Sequence, residues 1–203
     1  MFAEARSLSK IKTRDIDIDV SLLINASKRV SIPDLLFPLG FETKFAGKNF
    51  IFLVHPALKI EFLSPEMGKT SDKPLMLPGF GISAQPLRFL HLLENEIITV
   101  DYKGFPVKVP HPVWFAIHKL IISQRRRSKR HNEKMKIQGK SHKDSRQAIE
   151  VLAALCQAGQ KVKITDSLET LTKKQKKLLW KAVEEHRDHI EVITPQLVDI
   201  LTA

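Results

Sequence analysis

The sequence has little of what stabilises secreted or membrane-spanning proteins. It contains one cysteine, Cys156, which excludes an internal disulfide and a zinc site built from several cysteines. The longest apolar stretches, such as residues 51–54, are only a few residues long, whereas a membrane-spanning helix needs about 20. Residues 1–6 lack the apolar centre of a secretory signal. These absences predict a soluble, cytoplasmic protein that does not contact a membrane.

The charge is strongly positive and unevenly distributed. The 203 residues include 33 Lys and Arg against 22 Asp and Glu, which gives a net charge of +11. Segment 125–146 contains ten basic residues and two acidic ones, so it carries +8 of this total. Such a concentration of charge suits a polyanionic partner, such as a nucleoside triphosphate, a nucleic acid or an acidic surface. The alternative is a flexible, solvated loop, and the charge pattern alone does not separate the two.

Three aspartates alternate with apolar residues near the N-terminus. Over residues 15–20 the alternation predicts a strand with an apolar core face and with Asp15, Asp17 and Asp19 on the opposite face. Carboxylates two residues apart on a strand lie roughly 7 Å apart and repel each other unless a cation sits between them. This arrangement is typical of a Mg²⁺ site, because Mg²⁺ takes one or two carboxylates plus substrate phosphates. The alternative is an exposed edge strand with solvated aspartates, although aspartate is depleted in strands.

A further carboxylate lies on a second predicted strand, residues 58–63. Glu61 has Ile60 and Phe62 as neighbours, so its side chain is expected to face away from the core. If the two strands are adjacent, Glu61 joins Asp15 and Asp17 around a pair of Mg²⁺ or Mn²⁺ ions. Two ions held by three carboxylates would stabilise attack on an α-phosphate and departure of pyrophosphate.

The spacing of apolar residues predicts an α/β region followed by a helical one. Besides the two acidic strands, strands are expected at 50–54, 97–102 and 106–109. The proline- and glycine-rich residues 64–85 are expected to form an exposed loop, and a short helix is expected at 86–93. After Pro110 the pattern changes to helices at 113–124, 144–155, 172–186 and 195–201. We therefore expect an α/β core at 1–110 and a helical domain at 111–203 that contains the basic segment 125–146.

Three motifs resemble the nucleotidyltransferase superfamily, whose best-known members are the polymerase-β-like enzymes. Residues 13–17, Thr-Arg-Asp-Ile-Asp, resemble its Thr-x-Asp-h-Asp strand. Residues 115–126, Phe-Ala-Ile-His-Lys-Leu-Ile-Ile-Ser-Gln-Arg-Arg, and residues 143–148, Lys-Asp-Ser-Arg-Gln-Ala, are similar to two helices of a bacterial group related to AbiE-type toxins. The resemblance covers roughly residues 6–157.

The resemblance implies a fold, a reaction and a set of site residues. The fold would be a mixed β-sheet with flanking helices, followed by a helical region. The reaction would move a nucleoside monophosphate from an NTP to a hydroxyl of a protein, an RNA or a small molecule. Asp15, Asp17 and Glu61 would be the catalytic carboxylates and would hold Mg²⁺ or Mn²⁺. The resemblance also implies that Lys119 contacts the nucleotide phosphates, the alternative being a surface lysine. Arg125, Arg126 and Lys143 are further candidates for binding phosphate, the alternative being a mobile cationic loop. Asp144 either orients Lys119 or Arg126 or caps its helix.

The sequence departs from the superfamily in one respect. There, a strand and a Gly-Ser or Gly-Gly turn precede the aspartate pair, and the turn cradles the triphosphate. Residues 1–14 contain no glycine. We therefore expect an N-terminally truncated sheet, slow or absent turnover, and an open sheet edge that favours self-association.

Two other functional classes are alternatives to the transferase. The alternative is a non-catalytic nucleotidyltransferase-fold module that binds nucleic acid or a partner protein through segment 125–146. The missing Gly-Ser turn favours this module, whereas the complete carboxylate set favours the enzyme. A helix-turn-helix DNA-binding protein is disfavoured by the acidic strand.

Overall fold

The chain forms two compact units that divide between Leu90 and His91. The computed structural model describes residues 15–27, 29–47, 50–66, 73–126 and 134–202. The described residues up to Leu90 are called the sheet unit, and those from His91 onward the helical unit. No helix among the described residues combines the length and the apolar character needed to cross a membrane.

The sheet unit is built around a mixed β-sheet. Its elements are β1 (Asp15–Asp19), α1 (Ile32–Leu36), β2 (Glu42–Ala46), β3 (Phe50–His55), β4 (Leu58–Pro65), β5 (Leu75–Leu77) and β6 (Ile82–Leu87). Single 3₁₀ turns lie at Ser21–Leu23, Phe37–Leu39 and Pro78–Phe80. Strands β2, β3 and β4 are antiparallel neighbours, β1 and β6 each pair with β4 in parallel, and β5 is antiparallel to β6. The predicted mixed sheet with flanking helices is confirmed, and β4 is its central strand.

One face of this sheet supplies the core of the unit. Val20, directly after β1, is fully buried, and its N–H donates to the carbonyl oxygen of Leu63 at 2.9 Å. The other buried residues of this core are Leu53, Ile60, Phe62, Leu77, Phe80, Ile82 and Ala84. Ile16 and Ile18 remain 46% and 39% exposed, so the core covers only the C-terminal end of β1. Because alternate residues of a strand face opposite ways, burial of Ile60 and Phe62 turns Glu61 to the other face.

The prediction of a loop at residues 64–85 is wrong over much of this segment. The segment contains β5 and the first four residues of β6, and the short helix expected at 86–93 is reduced to His91–Glu94. The side chains of Ile82 and Ala84 are buried, and the Ser83 hydroxyl oxygen accepts the N–H of Ile51 at 2.6 Å. The local composition indicates a loop, but burial and pairing with β4 make this segment a strand.

The helical unit contains a two-stranded ribbon and a set of packed helices. Its elements are α2 (His91–Glu94), β7 (Ile97–Tyr102), β8 (Phe105–Pro110), α3 (Pro112–Arg126), α4 (Lys134–Gln157), α5 (Lys161–Glu169), α6 (Lys173–Glu185), α7 (Arg187–Ile193) and α8 (Pro195–Thr202). Helix α3 packs against α4, and Ile117, Leu120 and Ile121 are fully buried. The predicted helical C-terminal region is therefore confirmed. The ribbon belongs to this unit, whereas the sequence analysis placed it in the α/β core.

Strands β7 and β8 form a ribbon with one apolar face. The turn between them consists of Lys103 and Gly104, with φ of +55° and +84°, as a two-residue type I′ hairpin turn requires. The side chain of Asp101 supports the turn by accepting the N–H of Gly104 at 3.0 Å. The apolar face consists of the cross-strand pairs Ile98–Val109, Val100–Val107 and Tyr102–Phe105. It becomes more exposed toward the tip, where Phe105 is 71% exposed.

His111 links the ribbon to α3. Its N–H donates to the carbonyl oxygen of Glu96 at 2.8 Å, and its Nδ1 accepts the N–H of Val113, in the first turn of α3, at 3.2 Å. Burial lowers the pKa of His111 below its ordinary value, and the Glu96 carboxylate opposes this shift. A neutral imidazole is also required by the hydrogen bond, because a protonated Nδ1 has no lone pair to accept it.

This environment predicts a loss of stability in acid. The folded-state pKa of His111 is lower than the unfolded pKa of about 6.5. The contribution of neutral His111 to the free energy of unfolding is therefore complete above about pH 6.5. It is lost as the pH falls through that value and then through the lower folded-state pKa. Lowering the pH from 7.5 to 5 should reduce the free energy of unfolding more in the wild-type protein than in His111→Asn, whose amide oxygen can still accept a hydrogen bond. Urea unfolding at both pH values measures this difference, and identical pH dependence in the two proteins would contradict it.

Candidate functional site

The exposed face of β1 and β4 brings two of the predicted carboxylates together. In the parallel register Asp17 lies opposite Glu61, Asp15 opposite Lys59, and Asp19 opposite Leu63. Residues opposite each other on adjacent strands point to the same face, and the strands are about 4.8 Å apart. Asp17 and Glu61 therefore occupy neighbouring positions on a face that the core does not cover. Asp15 is placed by its backbone one pleat away, and its side chain lies outside the described residues.

Lys59 is a component of this face that the sequence analysis missed. Its ammonium group forms an ion pair with the Glu61 carboxylate, two residues along the same strand. The same Nζ lies 4.3 Å from the centre of the Phe52 ring, a favourable cation–π distance. Lys59 and Glu61 side chains are about one-third exposed, at 34% and 32%. The sequence could have predicted this position, because residues 59 and 61 are two apart on one strand and therefore point to the same face.

The donor set on this face fits a divalent cation that is held largely by substrate. Among the described residues there is no group of three or more His, Cys, Asp or Glu side chains arranged to hold a metal ion by themselves. Mg²⁺ commonly takes only one or two carboxylates and completes its coordination with water and phosphate oxygens. The adjacent positions of Asp17 and Glu61 satisfy that requirement, and a bound cation would compete with Lys59 for the Glu61 carboxylate.

Asp19 serves the local structure at the end of β1. Its Oδ1 accepts hydrogen bonds from the backbone N–H of Ser21 at 2.9 Å and from the Ser21 hydroxyl at 2.5 Å. Side-chain hydrogen bonds of this kind, two residues along the chain, stabilise turns. Asp19 therefore supports the turn that follows β1, while Asp17 lies beside Glu61.

A second group of predicted residues meets between α3 and α4. The Lys119 Nζ donates to Asp144 Oδ1 at 2.9 Å, and the two side chains are 25% and 13% exposed. The same Nζ lies 5.1 Å from the centre of the Phe115 ring. Lys119 lies on α3 between His118 and Leu120, which are both buried, so its aliphatic stem leaves the core and its charge reaches the edge. Asp144 therefore contacts Lys119, one of the two partners considered for it, and the side chain of the other, Arg126, lies outside the described residues.

The beginning of α4 differs from the sequence-based expectation. The described part of the helix already includes Lys134, ten residues before Asp144, so Asp144 lies within the helix and the alternative role as a helix cap is wrong. Lys143 is exposed on α4. Arg125 and Arg126 form the last turn of α3, and their side chains lie outside the described residues, as do all of residues 127–133 and the N-terminal residues 1–14. The phosphate-binding roles of these residues and the expected truncation stay predictions.

Comparison with known proteins gives one family and one distant structure. Residues 6–173 match the profile of a family described as Nucleotidyltransferase. An antigenic nucleotidyltransferase-like protein from Paracoccidioides brasiliensis aligns with 85% of this chain, at 13% identity and a TM-score of 0.38. The chain spans 66% of the length of that protein, and similarity at this level adds nothing to the description of the fold. No curated protein matches the sequence significantly.

The geometry of Lys119 and Asp144 predicts an energetic coupling between them. A charge-assisted hydrogen bond at a mostly buried carboxylate contributes roughly 1–3 kcal/mol. A double-mutant cycle of Lys119→Met and Asp144→Asn, followed by urea unfolding, should give a coupling energy of about this size. The control is a cycle on Arg187 and Glu184, a surface ion pair that is 40% and 43% exposed and should show little coupling. Equal coupling in both cycles would contradict the prediction.

Proposed function

We propose a nucleotidyl-transfer function for this chain, from the premise that it belongs to the nucleotidyltransferase family. Membership of that family supports a nucleotide substrate. In the proposed reaction a nucleoside monophosphate moves from an NTP to the hydroxyl of a protein, an RNA or a small molecule, with the help of Mg²⁺ or Mn²⁺. The observation that carries the proposal is the parallel register that puts Asp17 opposite Glu61 on the exposed face of β1 and β4.

In this proposal the carboxylates of the sheet unit bind the cation. Asp17 and Glu61, together with Asp15, would hold it. A bound divalent cation would neutralise negative charge that develops on the α-phosphate and on the departing pyrophosphate. Lys59 has a positioning role, because its ion pair orients the Glu61 carboxylate and reduces its repulsion with Asp17. The Lys59 ammonium carries three N–H donors and would be able to donate to phosphate oxygens if a bound cation took over the Glu61 carboxylate.

The helical unit contributes phosphate-binding groups in the proposal. The resemblance suggests this role for Lys119, and the proposal extends it to Arg125, Arg126 and Lys143. Asp144 would hold the Lys119 ammonium in place, since a charge-assisted hydrogen bond restricts a side chain that otherwise has considerable rotamer freedom. Transfer of phosphoryl and nucleotidyl groups depends mainly on such positioning and on charge stabilisation.

The test compares three carboxylates of the sheet unit. Purified protein is incubated with α-labelled NTPs, Mg²⁺ or Mn²⁺ and a cell extract that supplies acceptors, and label transfer is measured. Asp17→Asn and Glu61→Gln should each lower the rate by roughly 10²-fold or more, because each removes preorganised charge at the reacting phosphate. Asp19→Asn is the matched control, since Asp19 lies on the same strand and the asparagine oxygen can still accept from Ser21. Equal transfer by all three variants would contradict the proposed carboxylate site.

A non-catalytic role is the second candidate, and the Lys59–Glu61 ion pair favours it. A carboxylate that already has a fixed cationic partner binds a metal less readily, because the two cations repel. In that case no label is transferred, and segment 125–146 binds nucleic acid or an acidic protein. Replacing Arg125 and Arg126 with Ala should then weaken nucleic-acid binding and reduce the slope of log K against log salt. An unchanged slope would show that these arginines contact no phosphates.

A further inference from the structure

A cavity lies in the helical unit between α5, α6 and α8. Its volume is about 520 Å³, within the range of about 300–1,000 Å³ that is usual for small-molecule sites. The cavity shares no residue with the carboxylate face of the sheet unit or with the Lys119–Asp144 pair. Its floor includes Leu179 and Leu201, which are 3% and 4% exposed. The cavity is therefore a separate concave surface with an apolar floor.

Helix α6 forms the wall that carries Trp180. A capping box fixes the start of this helix: Thr172 Oγ1 accepts the N–H of Gln175 at 3.3 Å, and Gln175 Oε1 accepts the N–H of Thr172 at 2.8 Å. Leu179 belongs to the buried side of α6, and the next residue, Trp180, lines the cavity while 51% of it remains exposed. A large indole that is half accessible in a cavity wall offers a surface on which a planar ring can stack.

Three lysines of α6 line the same cavity as the indole. Lys176 and Lys177 precede Trp180 by one helical turn, Lys181 follows it, and all three line the cavity. Each is exposed, and no carboxylate in the described part of the chain forms an ion pair with them. Residues three and four apart on a helix are neighbours on its surface. An anionic group beside a ring on Trp180 would therefore lie near Lys176 and Lys177, with Lys181 on the same wall of the cavity.

The polar groups contributed by α5 and α8 have lone pairs left with which to accept hydrogen bonds. The Thr165 hydroxyl donates to the carbonyl oxygen of Lys161 at 3.2 Å, and the Thr202 hydroxyl donates to that of Val198 at 2.9 Å. Each hydroxyl oxygen keeps a lone pair that can accept. The carboxylate of Glu169, which also lines the cavity, can only accept when ionised. These walls therefore select a ligand that donates hydrogen bonds, such as one with an exocyclic amino group.

We propose that this cavity binds an amino-bearing nucleobase against Trp180, with the adjoining phosphate against Lys176, Lys177 and Lys181. An adenosine or cytidine nucleotide has a planar ring, an amino donor and an anion, and each matches one of the three features. The inference goes beyond the proposed function, because neither turnover nor a metal ion enters into it. A free nucleotide and the end of a single-stranded nucleic acid offer the same chemistry.

A second class of ligand matches only part of the cavity. An acidic amphipathic peptide would complement the lysines and cover the apolar floor. It would also bring several carboxylates toward Glu169, and it would need an aromatic side chain at one particular position to stack on Trp180. The accepting walls and the exposed indole therefore favour the nucleotide.

The test uses Trp180 as its own reporter. The protein has two tryptophans, and Trp114→Phe leaves Trp180 as the only one. This variant is titrated with AMP, CMP, UMP and inorganic phosphate, and with short single-stranded oligo(A) and oligo(U), in buffer that contains EDTA. We expect saturable quenching of Trp180 fluorescence by AMP and CMP, and several-fold weaker binding of UMP. Tighter binding of oligo(A) than of AMP would identify a nucleic-acid strand as the ligand, and equal affinity a free nucleotide.

Two double variants separate the cavity from the general charge of α6. Lys176→Gln with Lys177→Gln removes two charges from the cavity. Lys173→Gln with Lys174→Gln removes two charges from the same helix outside it and serves as the control. The first pair should weaken AMP binding at least about fivefold and flatten its salt dependence, and the control pair should change both much less. By equilibrium dialysis with labelled AMP, Trp180→Leu should also lose about fivefold or more, because base stacking is lost, while Trp180→Phe should retain most of the affinity.

Several outcomes would overturn the proposal. These are a lack of saturable AMP binding up to millimolar concentration, equal binding of UMP or inorganic phosphate, and equal losses in the two double variants. Binding of an acidic amphipathic peptide in the absence of nucleotide binding would assign the cavity to a protein partner instead. Because EDTA removes divalent cations and no transfer is measured, failure here leaves the carboxylate site to be judged by its own experiment.

Discussion

The parallel pairing of β1 with β4 is the interaction on which the candidate site depends. It places Val20 in the core at one end, where the backbone hydrogen bond to Leu63 closes the pairing. It also sets Asp17 against Glu61 on the opposite face. A slip of one residue would exchange the faces of β1, moving its carboxylates toward the apolar core and Val20 toward solvent. The hydrophobic core and the acidic face therefore specify the same register, one by burial and the other by exclusion of charge.

The sequence pattern predicted which carboxylates lie on the exposed face of each single strand. Alternation over residues 15–20 and the apolar neighbours of Glu61 define which side chains share a face, and the structure confirms strands at both places. The pairing of the two strands depends on the tertiary fold, and the sequence did not predict that they are neighbours. Lys59 could have been assigned to the same face, because it lies two residues from Glu61 on the same strand. The sequence analysis considered only the carboxylates. The Asp19–Ser21 hydrogen bonds were not predictable in this way, because they depend on the turn that follows the strand.

Other features could not be predicted from the sequence, for identifiable physical reasons. Strand β6 contains Pro86 and follows Gly81, so its local composition indicates a loop, and burial against β4 decides otherwise. Lys119 and Asp144 are 25 residues apart, and their contact depends on how α3 packs against α4. The resemblance to a family supplied both residues as candidates, whereas the choice between a helix cap and an ion pair required the position of Asp144 within α4. The cavity around Trp180 involves three separate helices, and helical periodicity alone gives no sign of it.

The two edges of the ribbon of β7 and β8 offer unequal hydrogen-bonding groups to a further strand. In a hairpin with a two-residue turn, Tyr102 and Phe105 form the first hydrogen-bonded pair, so the backbone groups of every second residue from Pro106 onward point outward. On β8 these positions are Pro106, Lys108 and Pro110, and a proline has no N–H to offer. Lys108 is thus the one outward-facing N–H donor on β8, whereas the outward-facing positions of β7, which are Ile97, Thr99 and Asp101, each carry an N–H. A further strand that paired with this ribbon would therefore gain more hydrogen bonds along β7, and two copies paired antiparallel in that way would be related by a two-fold axis.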